Sequence, residues 1–185
     1  MSTVDATTLV SRLHEAFPDA ALEAAPTLDL QATVYVSREH APALFVALRD
    51  RADFRFSVLL ELTAADFWPR EPRFELVYML LSPEHRLRLR VKIRLAGDAA
   101  RVPTVSAIWA AANWLEREVW DLFGIEFDGH PDPRRLLMPE DWEGYPLRKD
   151  YPVQINAPVK TYEPLQVTQE EFVANLEAAR EHGQS

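Results

Sequence analysis

Arg86-Leu-Arg-Leu-Arg90-Val-Lys-Ile-Arg-Leu95 alternates without interruption: Leu87, Leu89, Val91, Ile93 and Leu95 against Arg86, Arg88, Arg90, Lys92 and Arg94. Such a period of two is a strand with one face in the core and the other in solvent, as antiparallel sheets commonly show. Five like charges on one face read as a solvated surface balanced by nearby acids, or else as an electropositive docking surface. Upstream, Phe74 to Leu81 predicts a second strand, joined to the first by Ser82-Pro-Glu-His85, which suits a tight hairpin. Phe54 to Leu62 predicts a third, with Trp68-Pro-Arg-Glu-Pro72 as the loop between them.

Further toward the N-terminus, Leu9, Val10, Leu13 and Phe17 recur at helical spacing over Asp5 to Phe17, with Pro18 beyond the end. Alternation at Leu28, Leu30, Ala32, Val34 and Val36 gives another strand, preceded by a short one near Ala21 to Ala24. Ser37 reads as the N-cap of a helix ending near Asp50, with Ala41, Leu44, Phe45 and Leu48 buried and Pro42 tolerated in the first turns. Helices interleaved with hairpin-connected strands predict an α+β fold, a two-layer domain whose mixed, largely antiparallel sheet is covered by helices.

Downstream, Thr104 to Phe123 reads as a helical region with a break near Asn113, an apolar stripe of Leu115, Val119, Leu122 and Phe123, and Gly124 at its C-cap. Gly124 to Asp128 has a short-strand pattern. Seven of the 14 prolines then fall between Pro131 and Pro164. Each removes a backbone donor and disfavours helix in the residue before it, so this stretch is expected to be an extended, proline-rich arm. Thr168-Gln-Glu-Glu171 is a capping box opening a short terminal helix to about His182, with Phe172, Val173 and Leu176 as its stripe. The expected division is therefore a domain over 1–130, an arm over 131–167 and a helix and tail over 168–185.

Composition removes several function classes. Twenty Lys and Arg against 29 Asp and Glu give a net charge of −9, the wrong sign for a chain whose main partner is a phosphate backbone. Zero cysteines exclude disulfides, thiolate zinc sites and all-cysteine iron–sulfur ligation within the chain, so any such cluster belongs to a partner. The five glycines build neither a phosphate loop nor a dinucleotide fingerprint. The N-terminus carries no targeting signal, which predicts a cytosolic chain. The longest run free of Asp, Glu, Lys and Arg, Val102 to Leu115, is too short to span a membrane.

The densest polar group is Glu116-Arg117-Glu118 with Asp121, where four-residue spacing lets Arg117 pair with Asp121 and places Trp114, Glu118 and Asp121 on one helix face. Clustered carboxylates can hold a metal or serve as acid and base, but no histidine completes a helical ligand pair. His130, in Gly129-His-Pro131, is the most suggestive titratable group, and as a lone loop histidine it reads first as a hydrogen-bonding anchor. The arm from Arg134 to Pro152 mixes arginines, carboxylates and large aromatics, the residues that commonly anchor interfaces. They either fold back on the domain or enter a partner, and the partner is the favoured reading.

Glu116-Arg-Glu-Val-Trp-Asp121-Leu-Phe-Gly124-Ile, Phe127, Gly129-His130-Pro131, Arg134-Arg135-Leu-Leu and Asp141-Trp142-Glu-Gly144-Tyr145-Pro146-Leu-Arg148-Lys149-Asp150-Tyr151-Pro resemble the thirty-kilodalton (C) subunit family of NADH-quinone oxidoreductase, respiratory complex I. Leucine is usual in that family where Pro133 stands. The resemblance implies a peripheral-arm subunit with no cofactor, catalytic residue or metal site of its own. FMN and iron–sulfur clusters would then sit in partner subunits, and the chain would lie peripherally at the cytoplasmic face of the cell membrane. It implies docking against the large D subunit of the quinone site, beside the B and I subunits, with the D partner supplied in trans because the chain stops at Ser185. On that reading Arg134, Arg135, Arg148 and Lys149 pair with partner carboxylates, Trp142, Tyr145 and Tyr151 fill pockets, and Glu116, Glu118 and Asp121 brace the helix against the arm. Related membrane-bound hydrogenases and other donor:quinone oxidoreductases use similar subunits. From other classes, the rivals are a carboxylate metalloenzyme built on Glu116, Glu118, Asp121 and His130, and an RNA-binding sheet on Arg86 to Arg94. The second lacks aromatics on the basic face for base stacking.

Overall fold

The computed structural model describes residues 5–25, 29–97, 100–152, 168 and 171–174. Contacts group the chain into two units, Met1–Pro152 and Val153–Ser185. The first is the α+β fold expected.

Helix α1 spans Ala6–Ala16, opened by Asp5, whose side chain accepts the Thr8 N–H at 2.7 Å, and it buries Leu9 and Leu13. A 3-10 turn over Pro18–Ala20 leads to β1, Glu23–Ala24, and then to β2, Thr33–Tyr35. The second strand is shorter than the alternation predicts: Leu30 takes a φ of 56° and is 85% exposed, so pairing begins only after it. Helix α2 spans Ala41–Asp50 and buries Ala41, Leu44, Phe45 and Leu48, as expected. His40 directly precedes the helix, and Ser37 caps the turn one step earlier, its hydroxyl accepting the His40 N–H at 3.4 Å. Ser37 O accepts the amides of His40 and Ala41, and its hydroxyl sits 3.0 Å from His40 Nδ1, so it shapes a turn ahead of the helix.

Strands β3 (Val58–Asp66), β4 (Phe74–Ser82) and β5 (Leu87–Leu95) form an antiparallel meander, and β2 joins β5 in parallel, giving the mixed order β1-β2-β5-β4-β3. The third strand starts later than expected. Phe54 and Phe56 are buried on its approach, and the φ of 50° at Arg55 between them breaks the ladder. On β5 every leucine, valine and isoleucine of the alternation is buried. They meet Phe74, Leu76, Tyr78 and Leu80 of β4 and the inner faces of the helices, with the Phe45 ring tilted against Tyr78 at 4.6 Å and edge-on to Trp109 at 5.6 Å.

The basic face of β5 is largely balanced. Arg90 pairs with Asp29 at 2.6 Å, Lys92 with Glu75 at 2.8 Å and Arg94 with Glu23 at 2.9 Å. Beyond it, β6 (Arg101–Pro103) pairs in parallel with β7 (Glu126–Asp128) across helix α3, Ala112–Phe123. That helix starts eight residues later than Thr104, the expected start. Turns occupy the interval because the Val105 amide is taken by Glu116 and the Trp109 indole by Phe56 O. Gly124, at φ 70°, closes the helix as expected.

In the second unit the capping box is formed: Thr168 N–H donates to Glu171 at 3.0 Å and Glu171 N–H to Thr168 Oγ1 at 3.2 Å, opening helical turns at 171–174. Phe172 and Val173 are exposed. The remainder of the expected terminal helix, including Leu176, and the arm after Pro152 lie outside the described residues.

Candidate partner-docking site on helix α3 and the arm

An α-helix leaves its last four carbonyls without intrahelical partners. In α3 each of these four finds a donor, and three of the donors come from the arm. Gly124 N–H reaches Trp120 O at 2.8 Å, Arg135 Nη1 reaches Asp121 O at 3.3 Å, Leu147 N–H reaches Leu122 O at 3.0 Å, and Arg148 Nε reaches Phe123 O at 2.5 Å. Two guanidinium groups at the negative end of the helix dipole add to its stability. Residues 131–152, with no helix or strand of their own, are thereby laid across the C-terminus of α3.

Asp121 is the hub. It is fully buried, and its Oδ2 accepts the amides of Leu136, Leu137 and Met138 at 2.7–2.9 Å while Oδ1 takes Arg135 Nη1 at 2.6 Å. Burial pushes its pKa up, but the Met138 amide, the Arg135 guanidinium and the amides of Leu137 and Leu136 outweigh it and hold the carboxyl below its usual value. Arg135 also donates to Trp142 O and Gly144 O, so one side chain ties three points of the arm to the helix. Tyr145 lies under both Arg135 and Arg148, the latter 4.6 Å from its ring. A Cβ at Gly124 would stand 2.5 Å from the Tyr145 ring and 2.6 Å from Arg148 Nη2, and one at Gly144 would stand 2.8 Å from the Tyr151 ring.

The far end of the arm is held by a second, partly buried ion cluster. Arg73 grips Asp66 at 2.8 Å and Asp150 at 2.7 Å, and the Lys149 amide donates to Asp66 at 2.8 Å. Burial opposes ionisation of Asp66, yet the Arg73 guanidinium and the amides of Lys149 and Trp68 bring its pKa down to about 2.

Several expectations are corrected here. Arg117 does not pair with Asp121, which the arm has claimed; it donates to the carbonyls of Arg134 and Arg135 and lies 3.5 Å from Asp132. Arg135 and Arg148, expected to pair with partner carboxylates, are engaged by this chain's own Asp121 and by carbonyls at the end of α3. The aromatics fold back in the same way: Tyr145 beneath the arginines, and Tyr151 against Gly144 with its hydroxyl 3.4 Å from Glu143 O. Trp142 is half-buried, and its indole N–H is shielded from solvent without a hydrogen-bond partner. Arg134 remains outward at 71% side-chain exposure, paired only with Asp132, and the Lys149 ammonium makes no ion pair among the described residues. Glu118 likewise makes none, and Trp114 on the same helix is exposed, 5.1 Å from the Arg117 guanidinium.

Glu116 does not brace the arm either. It points into the junction of β6 and α3, accepting Thr104 Oγ1 at 2.5 Å and the Val105 amide at 2.6 Å. Without a paired cation, burial raises its pKa to about 7 against those two donors. His130 is an anchor, as its simplest reading holds: Nε2 lies 3.1 Å from Asn113 O and Nδ1 accepts the Asp132 amide at 3.0 Å, while Glu116 is 3.9 Å away. Pro131, exposed, and Pro146, half-buried, are links beside these anchors. Among the described residues no three His, Cys, Asp or Glu side chains converge to hold a metal, so the metalloenzyme set of Glu116, Glu118, Asp121 and His130 is not brought together.

The family model described as the 30 Kd subunit of respiratory-chain NADH dehydrogenase matches residues 34–157. The chain belongs to that family. It is similar to the C subunit of NADH-quinone oxidoreductase from Roseiflexus sp. (strain RS-1), 45% identical over 81% of this chain and 86% of that one. It is 41% identical to the corresponding subunit from Geotalea uraniireducens (strain Rf4), over 78% of this chain and 87% of that one. Among solved structures it resembles a trypsin-resistant fragment (1-134) of Nqo5, with a TM-score of 0.57 and 30% identity over 66% of this chain and 98% of the fragment. It also resembles a chain of the membrane-bound sulfane sulfur reductase, an archaeal respiratory membrane complex, with a TM-score of 0.61 and 31% identity over 80% of this chain and 85% of that one. The α3 and arm residues described above fall within the matched span.

Proposed function

We propose that this chain is a cofactor-free scaffold subunit of the peripheral arm of a proton-translocating NADH:quinone oxidoreductase, docking against the D subunit of the quinone site with the B and I subunits as neighbours. FMN and the iron–sulfur clusters belong to partner subunits, and the chain sits peripherally on the cytoplasmic face of the membrane. The observation that carries the reading is the family match across 34–157. No helix among the described residues is long and apolar enough to cross a membrane, which accords with attachment through the complex. The site fits docking more than chemistry. Its buried Asp121 and Arg117 are spent on tying the arm to α3, and what it leaves outward is Arg134 and the apolar side chains of Trp114, Leu137 and Leu147, each more than half exposed.

Affinity purification of the chain from gently solubilised native membranes, with mass spectrometry of what accompanies it, tests this. Recovery of flavin and iron–sulfur subunits with NADH:quinone activity is the expected outcome. Arg134→Ala combined with Trp142→Ala is expected to detach the chain from the complex in native gels, and an intact complex would overturn the docking assignment. The likeness to the archaeal reductase supports a second reading, a sister membrane-bound complex with another electron donor. Recovery with hydrogenase subunits in place of flavin subunits would decide for it.

A further inference from the structure

The sheet of the first unit has one face in the core and one outside, and the outer face is not uniform. Across β3, β4 and β5 its side chains fall in rows: Val58, Leu81 and Arg88; Glu61, Met79 and Arg90; Thr63, Val77 and Lys92; Ala65, Glu75 and Arg94. At the Arg94 end, polarity is internally satisfied. Arg94 pairs with Glu23 and stacks 3.6 Å from the Tyr35 ring centroid, while Glu75 takes both Lys92 and the Tyr35 hydroxyl at 2.8 Å. At the hairpin end the pattern inverts. Arg88, opposite the half-buried Leu81, and Arg86, in the turn just before β5 at a φ of 55°, are exposed and form no side-chain ion pair or hydrogen bond among the described residues; Met79 is half-buried in the next row beside the exposed Glu61, with Leu60 exposed at 45% at the bulge of β3. The buried side chains of α1, α2 and α3 belong to the core on the opposite face.

We propose that the hairpin end of this outer face, from Leu60 through Met79 and Leu81 to Arg88 and Arg86, is a second docking surface, and that its occupant is an acidic, apolar-striped segment of another subunit of the complex. This rests on the assembly role proposed above and adds a surface distinct from the arm. Charge complementarity selects the occupant. The chain carries a net charge of −9, and at this hairpin two exposed arginines without ion pairs among the described residues outnumber the one exposed carboxylate of the strip, Glu61. Guanidinium groups at the rim of an apolar strip favour carboxylates flanking aliphatic or aromatic side chains. A phosphate-bearing partner would meet the same arginines but would leave the Met79 and Leu81 strip uncovered.

The test uses the assembled complex. Arg86→Glu with Arg88→Glu changes only exposed, unpaired side chains, so the thermal melt of the free chain is expected to match the wild type. Recovery of partner subunits with the tagged chain is expected to fall at least tenfold at moderate salt. Met79→Glu, directed at the apolar strip, is expected to lower recovery as well. In parallel, arginine-directed labelling read by mass spectrometry is expected to show Arg88 protected in the complex and reactive in the free chain. Undiminished recovery together with a reactive Arg88 in the complex would overturn the proposal. So would protection that already appears in the free chain at high concentration, since the occupant would then be a second copy. If the wild-type chain recovers no respiratory partners, the assembly role itself fails. If the wild type recovers them and the double variant does too, only this surface fails.

Discussion

Glu116 and Asp121 lie five residues apart on one helix, both fully buried, and shift in opposite directions because three amides and the Arg135 guanidinium converge on Asp121, whereas Glu116 has two donors and, among the described residues, no Lys or Arg partner. For Glu116 the folded-state pKa of about 7 lies above the ordinary 4.5, so the protonated form is the stable one. Its contribution is complete below pH 4.5 and is lost as pH rises toward 7. Glu116→Gln keeps the acceptor for Val105 and supplies a donor for Thr104 without a charge. The variant is expected to match the wild type near pH 4.5 and to exceed it at pH 8 by up to about 3 kcal/mol in urea unfolding. Asp121→Ala has the opposite character, leaving Arg135 buried beside three amides that have lost their acceptor. A cost of about 3 kcal/mol is expected, with faster tryptic cleavage after Arg135 as the arm lifts.

Among the elements, the helix end decides how the arm runs. Gly124→Ala adds a side chain at a φ of 70° and drives it into Tyr145 and Arg148. Relief must come from moving the arm, so beyond the roughly 1 kcal/mol intrinsic cost the variant is expected to show faster amide exchange at Leu147, whose donor role at Leu122 O depends on that packing. The sequence revealed β5 plainly, because its alternation left one solution for the core. The cap at Gly124 and the box at Thr168 were equally legible, being local. The folding back of the arm was not, since its main acceptors are backbone carbonyls that no residue pattern displays. The same reason hides the true partner of Arg117. A four-residue spacing suggested Asp121, but three amides and a guanidinium arriving from the arm outcompete a pair on one helix.

For the whole first unit, acid is expected to act at the arm before the sheet. Asp66, held at about 2, and Asp121, also lowered, contribute stability that is present above their ordinary value of 3.8 and lost as pH falls through the folded value. Between pH 4 and 2, tryptophan fluorescence from Trp142 is therefore expected to change ahead of the far-ultraviolet circular dichroism of the sheet, and coincident transitions would count against separate loosening of the arm. Fold class was readable at this scale because patterning alone separates core from surface, and the family motif in 116–152 was readable because its residue types recur at fixed separations. Which exposed side chains face a partner was not readable, because exposure is settled only when long-range contacts such as Arg73 to Asp150, 77 residues apart, are made.

The four satisfied carbonyls at the end of α3 also bear on how fast assembly can proceed. With residues 131–152 already ordered on the helix, that stretch meets a partner preformed, and the encounter carries no entropy of arranging it. Association is then expected to be a single concentration-dependent phase, with a rate that falls with added salt and no slower step that is independent of concentration.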